Sequence, residues 1–179
     1  EMKYANASAY FGMMGMWSKT AHGWHFGGDG SDIWTTNFDT MVLIDQGTDR
    51  VVLTGMAYAV GHYTRWVERG ARRIEAESNN DLVQVTALRD DRLHRLAVVV
   101  INNASSTETL AVAVNNLVLE GSVEGEQSTE TGGNWVPLES FDSNDDGFSA
   151  TVPPYSVTTY SVAFSKPVSE SARWGHYGK

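Results

Sequence analysis

The sequence predicts a mainly β fold, an antiparallel sandwich filling most of the chain after Gly70. Three observations predict it. Short segments alternate apolar and polar residues, as in Val83-Gln-Val-Thr-Ala87 and along Leu110, Val112 and Val114. One run, Leu96 to Ile101, is apolar throughout and suits a central strand covered on both faces. Asn, Ser, Gly and Pro break these segments at short intervals, which is the punctuation of an all-β sandwich.

Taken in order, Tyr4 to Phe11 suits a short buried strand, because its small residues allow close packing. Ser18 to Thr36 has no clear period and reads as a long loop, of a length that is usually functional or disordered. Leu53, Met56, Ala57, Val60, Tyr63 and Val67 recur at three- and four-residue steps, which predicts an amphipathic helix over 54–68. Thr54 is its N-cap, Gly61 its weak point, and Gly70 the glycine beyond its end. Strands follow over 73–77, 82–89, 96–101, 107–114, 117–124, 135–138, 148–152 and 156–164, with Asp90 to Arg92 as a hairpin connection. Lys166 to Lys179 has no period and reads as a disordered tail.

Composition narrows the function classes. The 179 residues carry 13 Lys+Arg against 22 Asp+Glu, a formal charge of −9, which repels phosphate backbones and argues against a nucleic-acid partner. The longest apolar run is too short to span a bilayer, so no membrane partner is expected. Without cysteine there are no disulfides, thiolate metal sites or thiol nucleophiles. The chain opens on Glu1-Met2-Lys3 with no leader, which reads as a piece of a longer translation product.

The junction between helix and strands resembles glycoside hydrolase family 30. Gly61-His-Tyr-Thr-Arg-Trp-Val67 and Gly70-Ala-Arg-Arg-Ile74 are similar to the segment where that family's last barrel helix gives way to a β-sandwich side domain. Val83 to Ala87, Leu96 to Asn103 and Pro153-Pro-Tyr-Ser-Val-Thr-Thr-Tyr160 resemble its side-domain strands, and Ala5 to Phe11 followed by Trp17 resembles its eighth barrel strand. The resemblance implies the last β/α unit of a (β/α)8 barrel, residues 1–69, followed by a β-sandwich over 70–165 and the tail 166–179. It also implies a retaining hydrolase acting on β-linked glycosides or polysaccharides, extracellular in the parent enzyme. Its two catalytic glutamates, about 5–5.5 Å apart in a retaining mechanism, would come from barrel strands four and seven. Both lie upstream of residue 1, so no catalytic residue is assigned here and the chain alone is expected to be inactive. An unpaired barrel strand and the absent N-terminal sandwich strands leave open edges, so self-association or pairing with the missing barrel portion is expected. No cofactor is implied.

Site candidates follow from sugar chemistry, which needs aromatic faces for C–H stacking and polar groups for hydroxyls. Trp17, Trp24, His25 and Trp34 stand near Asp29, Asp32 and Asn37, and the resemblance turns this loop toward the substrate cleft. The alternative is that these rings pack the barrel rim or the interdomain seam. Trp135 is a candidate sugar contact on the sandwich or, equally, a core residue. His22 and His25 fit no structural zinc spacing, and His62 reads as structural. Asp142, Asn144, Asp146 and Gly147 begin like a calcium loop, but Pro153 occupies the twelfth position where an acidic ligand is needed, and an Asp-Gly hairpin explains the residues as well. Arg65, Arg69, Arg72 and Arg73 are expected to pair with neighbouring Glu68, Glu75 and Glu77 in a solvated network, with a bridge between helix and sandwich as the runner-up. Two further function classes stay open, a stand-alone carbohydrate-binding module and a structural or interaction sandwich without sugar affinity.

Overall fold

The computed structural model describes residues 14–18, 40–45 and 49–165, which divide into two compact units between Thr64 and Arg65. The first unit holds a three-stranded sheet and a helix. Strand β1 (Met14–Ser18) runs parallel to β2 (Thr40–Asp45), which pairs antiparallel with β3 (Arg50–Leu53). Helix α1 (Gly55–Thr64) follows, with Thr54 as its N-cap: the Thr54 carbonyl accepts the Tyr58 N–H at 3.2 Å and its hydroxyl accepts the Ala57 N–H at 3.4 Å. The helix ends at Thr64, four residues short of the expected Glu68, and Gly70 adopts a positive φ of 103° in the turn before the next strand. Strands β2 and β3 have no counterpart in the sequence reading. The expected strand over 4–11, the loop beyond Ser18 and the tail after Ser165 lie outside the described residues.

The second unit is the sandwich. Its large sheet contains β4 (Arg72–Ile74), β5 (Val83–Asp90), β6 (Arg95–Asn102), β8 (Val118–Thr129), β9 (Gly133–Pro137), β10 (Phe141–Asp142) and β12 (Ser156–Ser165). The order is β10-β8-β12-β6-β5-β4, with β9 sharing an edge of the long β8. A smaller sheet pairs β7 (Glu108–Ala113) with β11 (Gly147–Val152). Every pairing within the second unit is antiparallel.

The core follows from the period-two pattern. Leu96, Val98 and Val100 of β6 pair across with Val162, Tyr160 and Thr158 of β12, and Val98 and Val100 with Ala87 and Val85 of β5. Against that face pack Phe148 and Val152 of β11 and Leu110 and Val112 of β7. Ala97 and Val99, on the opposite face of β6, are buried too. The strand is therefore covered on both sides, as its unbroken apolar run predicts.

Tyr160 anchors the core. It is 1% exposed, its ring centroid lies 5.4 Å from that of Phe148 and 6.2 Å from that of Phe141, and its hydroxyl donates to the Thr151 carbonyl at 3.3 Å. Burial pushes its phenol up to about 12 from an ordinary 10.0. The unfolded chain therefore releases this proton first. The stability tied to keeping the phenol neutral is complete below pH 10 and lost as pH rises through 12. Tyr160→Phe is expected to flatten the alkaline limb of a stability–pH profile, at a cost of about 1 kcal/mol near neutrality for the lost hydrogen bond. Urea melts at pH 7 and pH 11 check this.

Candidate functional site

The structure places the predicted site residues unevenly. Trp17 lies in β1, its backbone in register with Leu43 of β2. Trp24, His25 and Trp34 lie outside the described residues, as do His22, Asp29, Asp32 and Asn37. Trp135 stands in β9 and is half-buried.

The turn chemistry of the β8–β9 hairpin fixes that tryptophan. The Thr129 hydroxyl accepts the Gly132 N–H at 2.6 Å, and Gly133 takes a positive φ of 106°. The register then shifts between Gln127 and Thr129, and the Trp135 N–H donates to the Ser128 hydroxyl at 2.9 Å. Trp135 itself has a φ of 52°, a costly value for a bulky residue. Its ring lies under the Arg65 guanidinium, 4.7 Å from guanidinium carbon to ring centroid. The same Arg65 donates from Nε to both Glu126 oxygens, at 3.0 and 3.2 Å.

For Arg65, this trio corrects the first of the two expectations for the basic cluster. Arg65 pairs with a carboxylate 61 residues away, not with its sequence neighbours. The Glu126 side chain is only 4% exposed while that of Arg65 is 50% exposed, so a buried anion is neutralised by a cation reaching in from the surface. No sequence pattern announces this pair, since neither spacing nor period links Arg65 to Glu126. Arg69 and Arg72 are exposed. His62 is fully buried in the last turn of α1, in keeping with a structural role.

The Asp142–Gly147 stretch forms a tight turn. Asn144 and Gly147 exchange backbone hydrogen bonds at 2.8 and 3.2 Å, and the carbonyls of Asp145 and Asp146 accept the N–H groups of Leu119 and Val114. Backbone acceptors in this turn serve the β7–β8 connection, which supports the hairpin explanation of these residues. Among the described residues no group of three His, Asp or Glu side chains is arranged to hold a metal ion. No described helix is long and apolar enough to cross a membrane.

A family model described as the glycosyl hydrolase family 30 beta sandwich domain matches residues 70–160. The chain belongs to this family. Its fold is also that of solved family 30 enzymes. It is similar to a family 30 endoxylanase from Clostridium papyrosolvens, at 20% identity and a TM-score of 0.57, over 62% of this chain and 28% of that one. It is similar to a family 30 subfamily 8 xylanase from Clostridium acetobutylicum, at 20% identity and a TM-score of 0.60, over 70% of this chain and 31% of that one. The catalytic domain of a family 30 xylanase C from Talaromyces cellulolyticus matches at 20% identity and a TM-score of 0.54, over 72% and 28%. This family 30 chain thus spans less than a third of each of these solved enzymes. No curated protein matches it in sequence.

Proposed function

We propose that this chain supplies the β-sandwich and the last β/α unit of the barrel to a retaining glycoside hydrolase that acts on β-linked glycosides or polysaccharides. The observation that carries the reading is the family 30 sandwich match over residues 70–160. In this reading residues 1–69 belong to the barrel, and Trp17, Trp24, His25 and Trp34 line the cleft. Trp135 meets sugar on whatever part of its ring Arg65 leaves open. The parent enzyme works outside the cell, where its polymeric substrates are.

The reading also supplies a partner. Among the described residues strand β3 lies at the edge of its three-stranded sheet, with Val51, Val52 and Leu53 all exposed. Apolar strand edges of this kind pair with further strands. The missing barrel portion is the proposed occupant, and a second copy of the chain takes its place when the chain is alone.

The purified chain is expected to release no product from xylan or aryl β-xylosides, because both catalytic carboxylates lie outside it. It is expected to elute above monomer mass in size-exclusion chromatography with light scattering. Hydrolysis that survives repurification would overturn the assignment of the carboxylates, and a monomer would overturn the pairing.

A further inference from the structure

The turn from the small sheet back to the large one carries a residue that backbone sterics disfavour. Between β11 and β12 the chain passes through Pro153, Pro154 and Tyr155, and Tyr155 takes a φ of 47°. Left-handed turn positions ordinarily hold glycine or asparagine, and a bulky residue there is strained. The turn is also pinned. The Tyr155 N–H donates to the Ala104 carbonyl at 3.2 Å, and the Ser156 hydroxyl donates to the Pro153 carbonyl at 2.7 Å. Yet the side chain so held is 56% exposed, and among the described residues its hydroxyl has no hydrogen-bond partner. A strained, fixed backbone that sets out an accessible ring points to a use for the ring.

The ring has a cavity beside it. Ser156 is in register with Thr129, which brings the turn next to the β8–β9 hairpin. A cavity of about 430 Å³ opens there, lined by Pro153, Pro154 and Tyr155 from the turn and by Glu130, Thr131 and Val136 from the hairpin. Its volume falls within the range of small-molecule sites. These groups are within reach of a ligand: Val136 is 44% exposed, and Glu130 and Thr131 are exposed as well. Neither Trp135 nor Arg65 lines it, so it is separate from the trio described above.

The lining selects the class of ligand. Glu130 is the one charged residue of the cavity, and among the described residues it has no ion-pair partner. An anion would therefore meet a like charge without a counter-charge. A small cation would use the carboxylate and leave the apolar wall idle. A neutral sugar uses both, its C–H faces against Tyr155, Val136 and the prolines and its hydroxyls donating to the carboxylate. We infer that this cavity binds a β-linked neutral oligosaccharide, with Tyr155 as the stacking platform and Glu130 as the hydroxyl acceptor. Only the β linkage rests on the hydrolase reading above. The site holds a polysaccharide chain without cutting it.

The test is an NMR titration of the full, ¹⁵N-labelled chain with xylohexaose and, separately, cellohexaose, with thermal melts of each variant. The Gly132, Gly133 and Ser156 amides are expected to shift with at least one of the sugars and to saturate in the millimolar range. Tyr155→Phe keeps the ring and should bind within about twofold of the parent chain. Tyr155→Asn suits the left-handed backbone but removes the ring, so affinity should fall about tenfold while Tm holds or rises. Glu130→Ala, at an exposed position, should also weaken binding about tenfold, as for the loss of one hydrogen bond to a charged group. Absence of shifts up to roughly 10 mM of both sugars, or unchanged affinity in Tyr155→Asn, would overturn the site. A lower Tm in Tyr155→Asn would overturn it too, because the ring would then serve the fold. So would shifts of the same amides with a proline hexamer and with neither sugar, which would give the cavity to a peptide. Binding requires no catalytic carboxylate, so an empty titration leaves the hydrolase reading standing. Failure of that reading would show instead as hydrolysis by the chain alone.

Discussion

Asn102→Asp, a change of one side-chain nitrogen to oxygen, is expected to destabilise the sandwich by about 3 kcal/mol or more at neutral pH. Asn102 is 1% exposed at the end of β6. Its amide nitrogen donates to three backbone carbonyls, those of Ser106 at 3.0 Å, Val152 at 3.2 Å and Pro153 at 2.8 Å. Its oxygen accepts the Ala104 N–H at 2.9 Å. One side chain thus ties the β6–β7 connection to the end of β11, where the small sheet meets the large one. A carboxylate there would keep the Ala104 contact while turning an oxygen toward three oxygens.

The pH dependence separates this account from simple misfolding. Burial and facing carbonyls both disfavour the charged form of an introduced aspartate, so its folded-state pKa would lie above the ordinary value near 3.9. The penalty should therefore shrink as pH falls toward that value and grow as pH rises above it. Asn102→Ala, which deletes the contacts without adding a charge, should show no such slope. Urea melts of both variants between pH 4 and pH 8 measure the difference. Equal slopes would remove electrostatics from the explanation.

Elements whose evidence is local are legible in the sequence. Leu96 to Ile101 reads as a central strand because an uninterrupted apolar run needs cover on both faces, and β6 has it. Strands β5, β7, β11 and β12 follow from alternation in the same way. What escapes depends on distant partners. Strand β10 is two residues, Phe141 and Asp142, and exists only because β8 offers Val123 and Ser122 as partners. The expected helix over 54–68 stops at Thr64, and the residue that follows, Arg65, turns to a carboxylate 61 positions later. The same holds for function. Trp135 is visible as a candidate ring, but the guanidinium over it is not.

Gly125→Ala is expected to be as damaging as any core truncation, although it adds only a methyl group. Gly125 sits within β8, in register with Tyr160 of β12. A Cβ built there would lie 2.1 Å from the Thr159 carbonyl oxygen, a backbone atom that cannot rotate away. Its other near neighbours are the Thr159 carbonyl carbon at 3.2 Å and Leu138 Cδ1 at 3.3 Å. Relief requires β8 and β12 to separate beside Tyr160, at a cost of about 3 kcal/mol or more. For a unit of this size that corresponds to a fall in Tm of about 10 °C or more. Gly121, four residues earlier on the same strand, is the control. It has a positive φ of 73° and nothing within 4 Å of an added Cβ. Gly121→Ala should cost only the left-handed backbone penalty, about 1 kcal/mol. Thermal melts of the two variants side by side decide the matter. If Gly125→Ala melts no lower than Gly121→Ala, the close approach of β8 to β12 is not what glycine serves at position 125.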